Sequence, residues 1–217
     1  VRDPFDRTIS ALLYHHPLNS KVYKLRQTKK QLVLGPQAYK CFPKLEDFAQ
    51  LMNGSSTNCN YPYRFNNVVT EDCHGFACAA LHGRVRFFSH LFFNYRNILY
   101  TKLPVEPTRE MYVLRQEFLW SDWKAVNKIF GQTEPVVIPE HQNSENRNIS
   151  GIELPVSREI SLDGRHKLCV SLKSEYVAYL RILKKAINMN KLEFEESLHI
   201  ARKRCPNLDF QSMARML

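Results

Sequence analysis

The sequence predicts an α/β fold, a central, mostly parallel sheet flanked by helices. Short apolar runs of strand type, Leu32-Val33-Leu34 and Met111-Tyr112-Val113-Leu114, alternate with longer stretches of helical period. The opening Val1-Arg2-Asp3-Pro4 reads as the end of a strand entering a helix. The 217 residues, 44% hydrophobic and 24% charged, have the balance of a globular domain, which excludes a disordered chain, a collagen and a disulfide-packed miniprotein.

Each element has a local reason. Asp3 is a good N-cap, Pro4 fits the first helical position, and Asp6 makes an acidic version of the capping box. Ile9, Leu12 and Leu13 give that helix an apolar face, and Pro17 ends it. Leu45 to Met52 predicts a short helix, and the polar stretch 53–72 a loop. Ala77, Leu81, Val85, Phe88, Phe92, Tyr95 and Leu99 keep helical spacing, which predicts one long buried helix from about His74 to Tyr100. The same spacing assigns Phe87, Phe88, Phe92 and Phe93 to core packing rather than to an exposed aromatic platform. Ser121 is placed to cap a helix with Trp123, Val126, Ile129 and Phe130 on its inner face and Gly131 at its end. After a polar loop, a second long helix runs from about Leu162 to Asn188 with Leu168, Leu172, Tyr176, Tyr179 and Leu183 on its face. A shorter one starts near Leu192 and stops at Pro206.

Charge is uneven. Lys and Arg total 31 against 21 Asp and Glu, a net of +10, with +6 in residues 1–40, −3 in 131–160 and +5 in 161–217. The surplus favours acidic partners. Six cysteines, four of them between residues 41 and 78, and two sequons, Asn53-Gly54-Ser55 and Asn148-Ile149-Ser150, point to a glycoprotein of the secretory pathway with one or two disulfides. The alternative is reduced thiols in a cytoplasmic protein. No apolar run is long enough for a transmembrane helix. The chain opens on Val1 directly in a motif-like segment, which is read as a fragment whose upstream part is absent.

The segment Arg2-Asp3-Pro4-x-x-Arg7-x-x-Ser10 carries the chemistry. A guanidinium at a strand end can grip a phosphate with two parallel hydrogen bonds. A helix N-terminus beside it adds N–H groups and a favourable dipole, and a serine on that helix adds a hydroxyl. This segment resembles the 3′-phosphate-binding motif of the sulfotransferases that use 3′-phosphoadenosine 5′-phosphosulfate, in the form of their membrane-bound, glycan-directed Golgi branch. Arg-Asp-Pro alone is common; the full set with Ser10 is more restrictive. Phe42-Pro43-Lys44-Leu45-Glu46-Asp47-Phe48, then Val113 to Leu119 with Asp122 and Ile129-Phe130-Gly131, then Ser161 to Leu183 with Glu175-Tyr176-x-x-Tyr179-Leu180, are similar in order and spacing to later parts of that family.

The resemblance covers residues 1–185 and implies one partial sulfotransferase-like domain of the P-loop-like fold, with a helical extension over 186–217 and the first strand–loop–helix missing. It implies a transferase that moves a sulfuryl group from the nucleotide donor to a hydroxyl of a carbohydrate or similar acceptor, by in-line displacement, without a metal and without nucleic acid as partner. Arg2 and Ser10, eight positions apart, would hold the 3′-phosphate. The family's phosphosulfate loop and general base lie upstream of this motif, so no catalytic residue is assigned; Gly54-Ser55-Ser56-Thr57 lacks the lysine of such a loop. A Tyr that reaches the adenine in cytosolic members is replaced by Gln116.

Other patterns have plainer readings. Arg2, Arg7 and Ser10 also fit a capped surface helix with Arg7 paired to Asp3. Cys73, Cys78 and His82, with His74 nearby, have a zinc-like or Cys–His spacing, but a disulfide or buried thiol explains them. His15 and His16 suit a helix C-terminus better than a catalytic base, and Lys184-Lys185 and Arg202-Lys203-Arg204 complement helix dipoles. The cluster Lys21, Lys24, Arg26, Lys29 and Lys30 supports the alternative function, a non-catalytic basic module that binds an anionic polymer. A nucleotide kinase would need a Gly-rich Lys-Ser/Thr loop, which is not found.

Overall fold

The structure is a computed structural model that describes residues 1–14, 16, 38–52, 72–85, 88, 91, 94–97, 110–132 and 158–215. Helices make up 69% of these residues, and among them there is no strand and no sheet. The expected α/β fold with a mostly parallel sheet is therefore corrected: the described part is helical. The elements are α1 (Pro4–Tyr14), α2 (Leu45–Gln50), α3 (Cys73–Leu81), α4 (Tyr95–Asn97), a 3₁₀ turn (Gln116–Phe118), α5 (Leu119–Ile129), α6 (Leu162–Ser171), α7 (Lys173–Lys185), α8 (Lys191–Arg204) and α9 (Phe210–Arg215).

The reason Met111–Leu114 forms no ladder is visible in its hydrogen bonds. The segment is extended, and its backbone groups find other partners. The Asn188 amide takes both groups of Val113, accepting from its N–H at 2.8 Å and donating to its carbonyl at 2.8 Å. The Ile187 N–H donates to the Met111 carbonyl at 2.9 Å. The turn after α7 thus stands where a neighbouring strand would. On the next residues a single pairing of parallel type occurs, with the Val1 nitrogen donating to the Leu114 carbonyl at 2.5 Å and the Gln116 N–H to the Val1 carbonyl at 2.7 Å. The other strand-type run, Leu32–Leu34, lies outside the described residues.

Two long helices expected from periodicity are shorter than predicted. The one over 74–100 ends at Leu81, because Gly83 adopts φ 68°, a left-handed conformation that glycine alone enters without strain. Its N–H bonds to the Ala80 carbonyl at 3.1 Å and the Arg84 N–H to Ala79 at 2.9 Å, a Schellman stop. The apolar period survives the break: Val85, Phe88, Leu91 and Tyr95 are buried all the same. The helix over 162–188 bends at Leu172 into α6 and α7, and nothing in the sequence at Leu172 explains the bend. Its expected face is correct, since Leu168, Leu172, Tyr176, Tyr179 and Leu183 are all buried. Gly131 closes α5 by the same Schellman pattern, as its place at the helix end predicts. Ser121, by contrast, does not cap that helix; its hydroxyl donates to the Phe118 carbonyl at 2.8 Å.

The core is organised around α7. It packs against α1, α4, α6 and α9, and α2 packs against α1 and α6. Phe42 is the centre of an aromatic group, 5.1 Å from the Phe48 ring, 5.7 Å from Phe76 and 6.0 Å from Phe88. The α2–α6 contact is close at Gly164: a Cβ there would meet Glu46 Oε2 at 2.8 Å and displace that carboxylate. That carboxylate accepts from the Ser161 hydroxyl at 2.6 Å and N–H at 2.7 Å, which fixes the start of α6 and holds the Glu46 pKa below the usual carboxylate range.

Disulfides tie helices together, and the Cys169–Cys205 bridge is itself buried in the core. Cys41 joins Cys73, tying the helical residues 38–41 to α3, and Cys169 joins Cys205, tying α6 to the end of α8. The second bridge spans a separation of 36 residues, for which chain entropy predicts about 3–4 kcal/mol. The Cys169→Ala/Cys205→Ala protein should lose about that much stability in urea unfolding, with a larger m-value because the uncrosslinked unfolded chain exposes more surface.

Candidate functional site

The start of α1 is built from its cap. Pro4 has no N–H; Phe5 and Asp6 donate theirs to Asp3 Oδ1 at 2.9 and 3.2 Å, and Arg7 donates to the Asp3 carbonyl at 2.9 Å. The helix N-terminus therefore keeps its dipole but has no spare donors in its first turn. The Asp6 carboxylate does not complete the expected capping box. It goes to Arg204, and the Asp3 N–H donates to Glu117 instead, at 3.0 Å.

Asp3 is only 1% exposed. Its Oδ1 also accepts from the Tyr176 hydroxyl at 3.1 Å, while Oδ2 is buried with no hydrogen-bond partner. Burial pushes the Asp3 pKa up to about 7, against the downward pull of the hydrogen bonds from Asp6, Tyr176 and Phe5.

Arg7 turns away from Asp3, contrary to the expected i,i+4 pair, and the helix is not a surface one. Its guanidinium donates to Glu175 Oε2 at 2.6 Å and lies 4.0 Å over the Tyr95 ring. Glu175 accepts in addition from the backbone N–H groups of Tyr95, at 2.9 Å, and Arg96, at 3.2 Å. The Tyr95 hydroxyl reaches back to the other end of the motif, bridging the N–H and carbonyl of Arg2 at 2.6 Å each. Tyr179 packs on Tyr95 with centroids 5.6 Å apart.

A second buried charge fixes the neighbouring segment. Arg115, 1% exposed, binds Asp122 through Nε at 2.9 Å and a terminal nitrogen at 2.6 Å. Its other terminal nitrogen donates to the Glu193 carbonyl at 2.7 Å and to the Ser197 hydroxyl at 3.2 Å. Arg115 thereby joins the 3₁₀ turn and α5 to α8. Asp122 is the buried side of α5; Trp123, Ile129 and Phe130, expected inside, are 40%, 46% and 65% exposed.

Arg2 and Ser10 contrast with these residues. Both are partly exposed, and neither side chain has a hydrogen bond or ion pair among the described residues. Ser10 lies on α1 three and four residues beyond Arg7 and Asp6, on their side of the helix. Gln116 is exposed and uses its N–H on Val1. Cys73 and Cys78 are both in disulfides, so neither is a free thiol beside His82 or His74. Burial lowers the His82 pKa. His74 Nδ1 is 2.5 Å from the Leu51 carbonyl, and His16 Nε2 is 2.9 Å from the Pro43 carbonyl, far from a catalytic arrangement with Ser10. Phe88 is buried, as core packing requires. His15, Lys21 to Lys30, Gly54–Thr57, both sequons, Phe87, Phe92 and Phe93 lie outside the described residues.

Sequence reasoning missed Glu175 as the partner of Arg7, Arg115–Asp122 as a buried pair, and Arg204 as the partner of Asp6. The only signal was indirect. Glu175, Arg115 and Asp122 stood inside the segments quoted for the family resemblance, without assigned roles. No protein-family model, curated protein or solved structure matches the chain.

The raised Asp3 pKa has a definite sign. The folded state binds a proton that the unfolded carboxyl releases near pH 4, so this stabilisation is full below about pH 4 and is lost as pH rises to about 7. Asp3→Asn removes it while keeping an acceptor for Phe5 and Asp6. Urea midpoints of wild type relative to Asp3→Asn should fall between pH 4 and 7, by about 2–4 kcal/mol in stability. A pH-independent difference would mean that Asp3 is not held protonated.

Proposed function

We propose that the α1 segment is the 3′-phosphate half of a nucleotide-sulfate site, in a protein that transfers a sulfuryl group from 3′-phosphoadenosine 5′-phosphosulfate to a hydroxyl of a carbohydrate or similar acceptor. One observation carries this reading. The motif divides its residues: Asp3 and Arg7 are spent on holding the helix, and the side chains of Arg2 and Ser10, partly exposed, have no hydrogen-bond or ion-pair partner among the described residues.

Further support comes from how the segments meet. The motif and two of the three later stretches that resemble the sulfotransferases, 113–119 and 161–183, are joined by direct hydrogen bonds: Asp3 to Glu117, Arg7 to Glu175 and Tyr176 to Asp3. Sequence distances of 114, 168 and 173 residues make such convergence informative. The residues present suit a phosphate in a particular way. With the first-turn N–H groups used by Asp3, the donors are side chains, the planar fork of Arg2 and the hydroxyl of Ser10, assisted by the helix dipole. The bound donor would supply the sulfuryl group; Arg2 and Ser10 would set its register by fixing the nucleotide. The pairs Cys41–Cys73 and Cys169–Cys205 favour an oxidising compartment such as the Golgi lumen. Among the described residues no helix is long and apolar enough to cross a membrane.

Thermal unfolding with adenosine 3′,5′-bisphosphate and with AMP tests the reading. At a hundredfold excess over Kd a ligand adds about 2.7 kcal/mol, or about 5–10 °C for a chain of this size. The shift should require the 3′-phosphate and disappear in Arg2→Ala and in Ser10→Ala. Equal shifts with both nucleotides, or none, would overturn it. Binding of an anionic polymer with steep salt dependence in their place would favour the basic-module alternative.

A further inference from the structure

Asp6 is an awkward residue for an anion site. It stands four residues after Arg2 and four before Ser10, and on the helix its Cβ lies about 5–6 Å from that of Ser10. A free carboxylate there would repel a phosphate and offer Arg2 a competing partner. In the structure Asp6 is instead paired with a cation. Arg204, in the last turn of α8, donates to Asp6 Oδ2 from Nε at 3.1 Å, and a terminal guanidinium nitrogen completes the ion pair at 3.0 Å. The pair is 44% exposed at Arg204 and 18% at Asp6, so it contributes little to stability. Its effect on the local charge is larger than its effect on folding.

We propose that Arg204 is a positioning residue of the phosphate site: by holding and neutralising Asp6 it keeps Arg2 and Ser10 open to a dianionic phosphate. The proposal rests on the reading of Arg2 and Ser10 given above. It also assigns the basic end of α8 a role beyond complementing the helix dipole. The Cys169–Cys205 bridge, at the residue after Arg204, holds that end in place.

Calorimetric titration with adenosine 3′,5′-bisphosphate and AMP tests it in wild type, Arg204→Ala, Asp6→Asn and the double variant. An unneutralised carboxylate at this range predicts about tenfold weaker bisphosphate binding in Arg204→Ala, with AMP unaffected. The double variant should return to near the wild-type Kd, because the harm comes from Asp6. Asp6→Asn alone, with Arg204 released, should bind a few-fold tighter; it also decides the matter if Arg204→Ala fails to fold. Unchanged binding in Arg204→Ala, no rescue in the double variant, or weaker binding in Asp6→Asn would each overturn the proposal while leaving the Arg2/Ser10 reading intact. Absence of any 3′-phosphate preference in wild type would remove both.

Discussion

The ion pair between Arg7 and Glu175 fixes the position of everything else in the site. Both groups are almost dry, with side-chain exposures of 9% and 4%. Removing one partner of such a pair leaves an uncompensated buried charge and costs about 3–5 kcal/mol. The pair also has reach. Glu175 sits on α7 and receives the backbone of α4, while Arg7 sits on α1 and covers the Tyr95 ring of α4. α7 already packs against α1 and α4, and the two side chains add a polar lock that joins all three helices. Tyr95 then carries the constraint to the backbone of Arg2, so the proposed anchor is held by its main chain, while its side chain has no hydrogen bond or ion pair among the described residues.

Arg115 performs the same service for the other half. A guanidinium with both edges satisfied substitutes for the apolar face that α5 lacks, and through Asp122 and Ser197 it links α5 to α8. The consequence is an inverted helix, with its carboxylate inside and Trp123, Ile129 and Phe130 toward the surface. Buried, satisfied polar networks of this kind specify one arrangement more sharply than apolar packing does, because each partial alternative strands a charge. Asp3 departs from this pattern, as does the Nε of Arg7, which is buried with no hydrogen bond. The Asp3 Oδ2 is stranded, and the carboxyl answers by holding a proton at a pH where most carboxyls have lost theirs.

Local signals in the sequence were readable wherever chemistry acts over one turn. Asp3-Pro4 marked the start of α1 and Gly131 the end of α5, since caps and Schellman stops depend on neighbours within a few residues. The buried stripe from Leu168 to Leu183 was legible for the same reason. The sheet was not, because an extended run becomes a strand only if another backbone pairs with it, and Asn188 met Val113 instead. Gly83 also escaped notice, as the apolar period continues across it. In the site, Arg2 and Ser10 are proposed only through the family resemblance, and the partners of Arg7, Arg115 and Asp6 lie 7 to 198 residues away, beyond what spacing can show.

Amide hydrogen exchange in wild type and Glu175→Gln addresses the central claim most directly. Exchange protection reports how tightly each element is held against local opening. If the Arg7–Glu175 pair anchors the site, α1 and the Tyr95 and Arg96 amides lose protection together while α8 keeps most of its own. Unchanged protection in α1, or a uniform loss across every helix, would contradict the account.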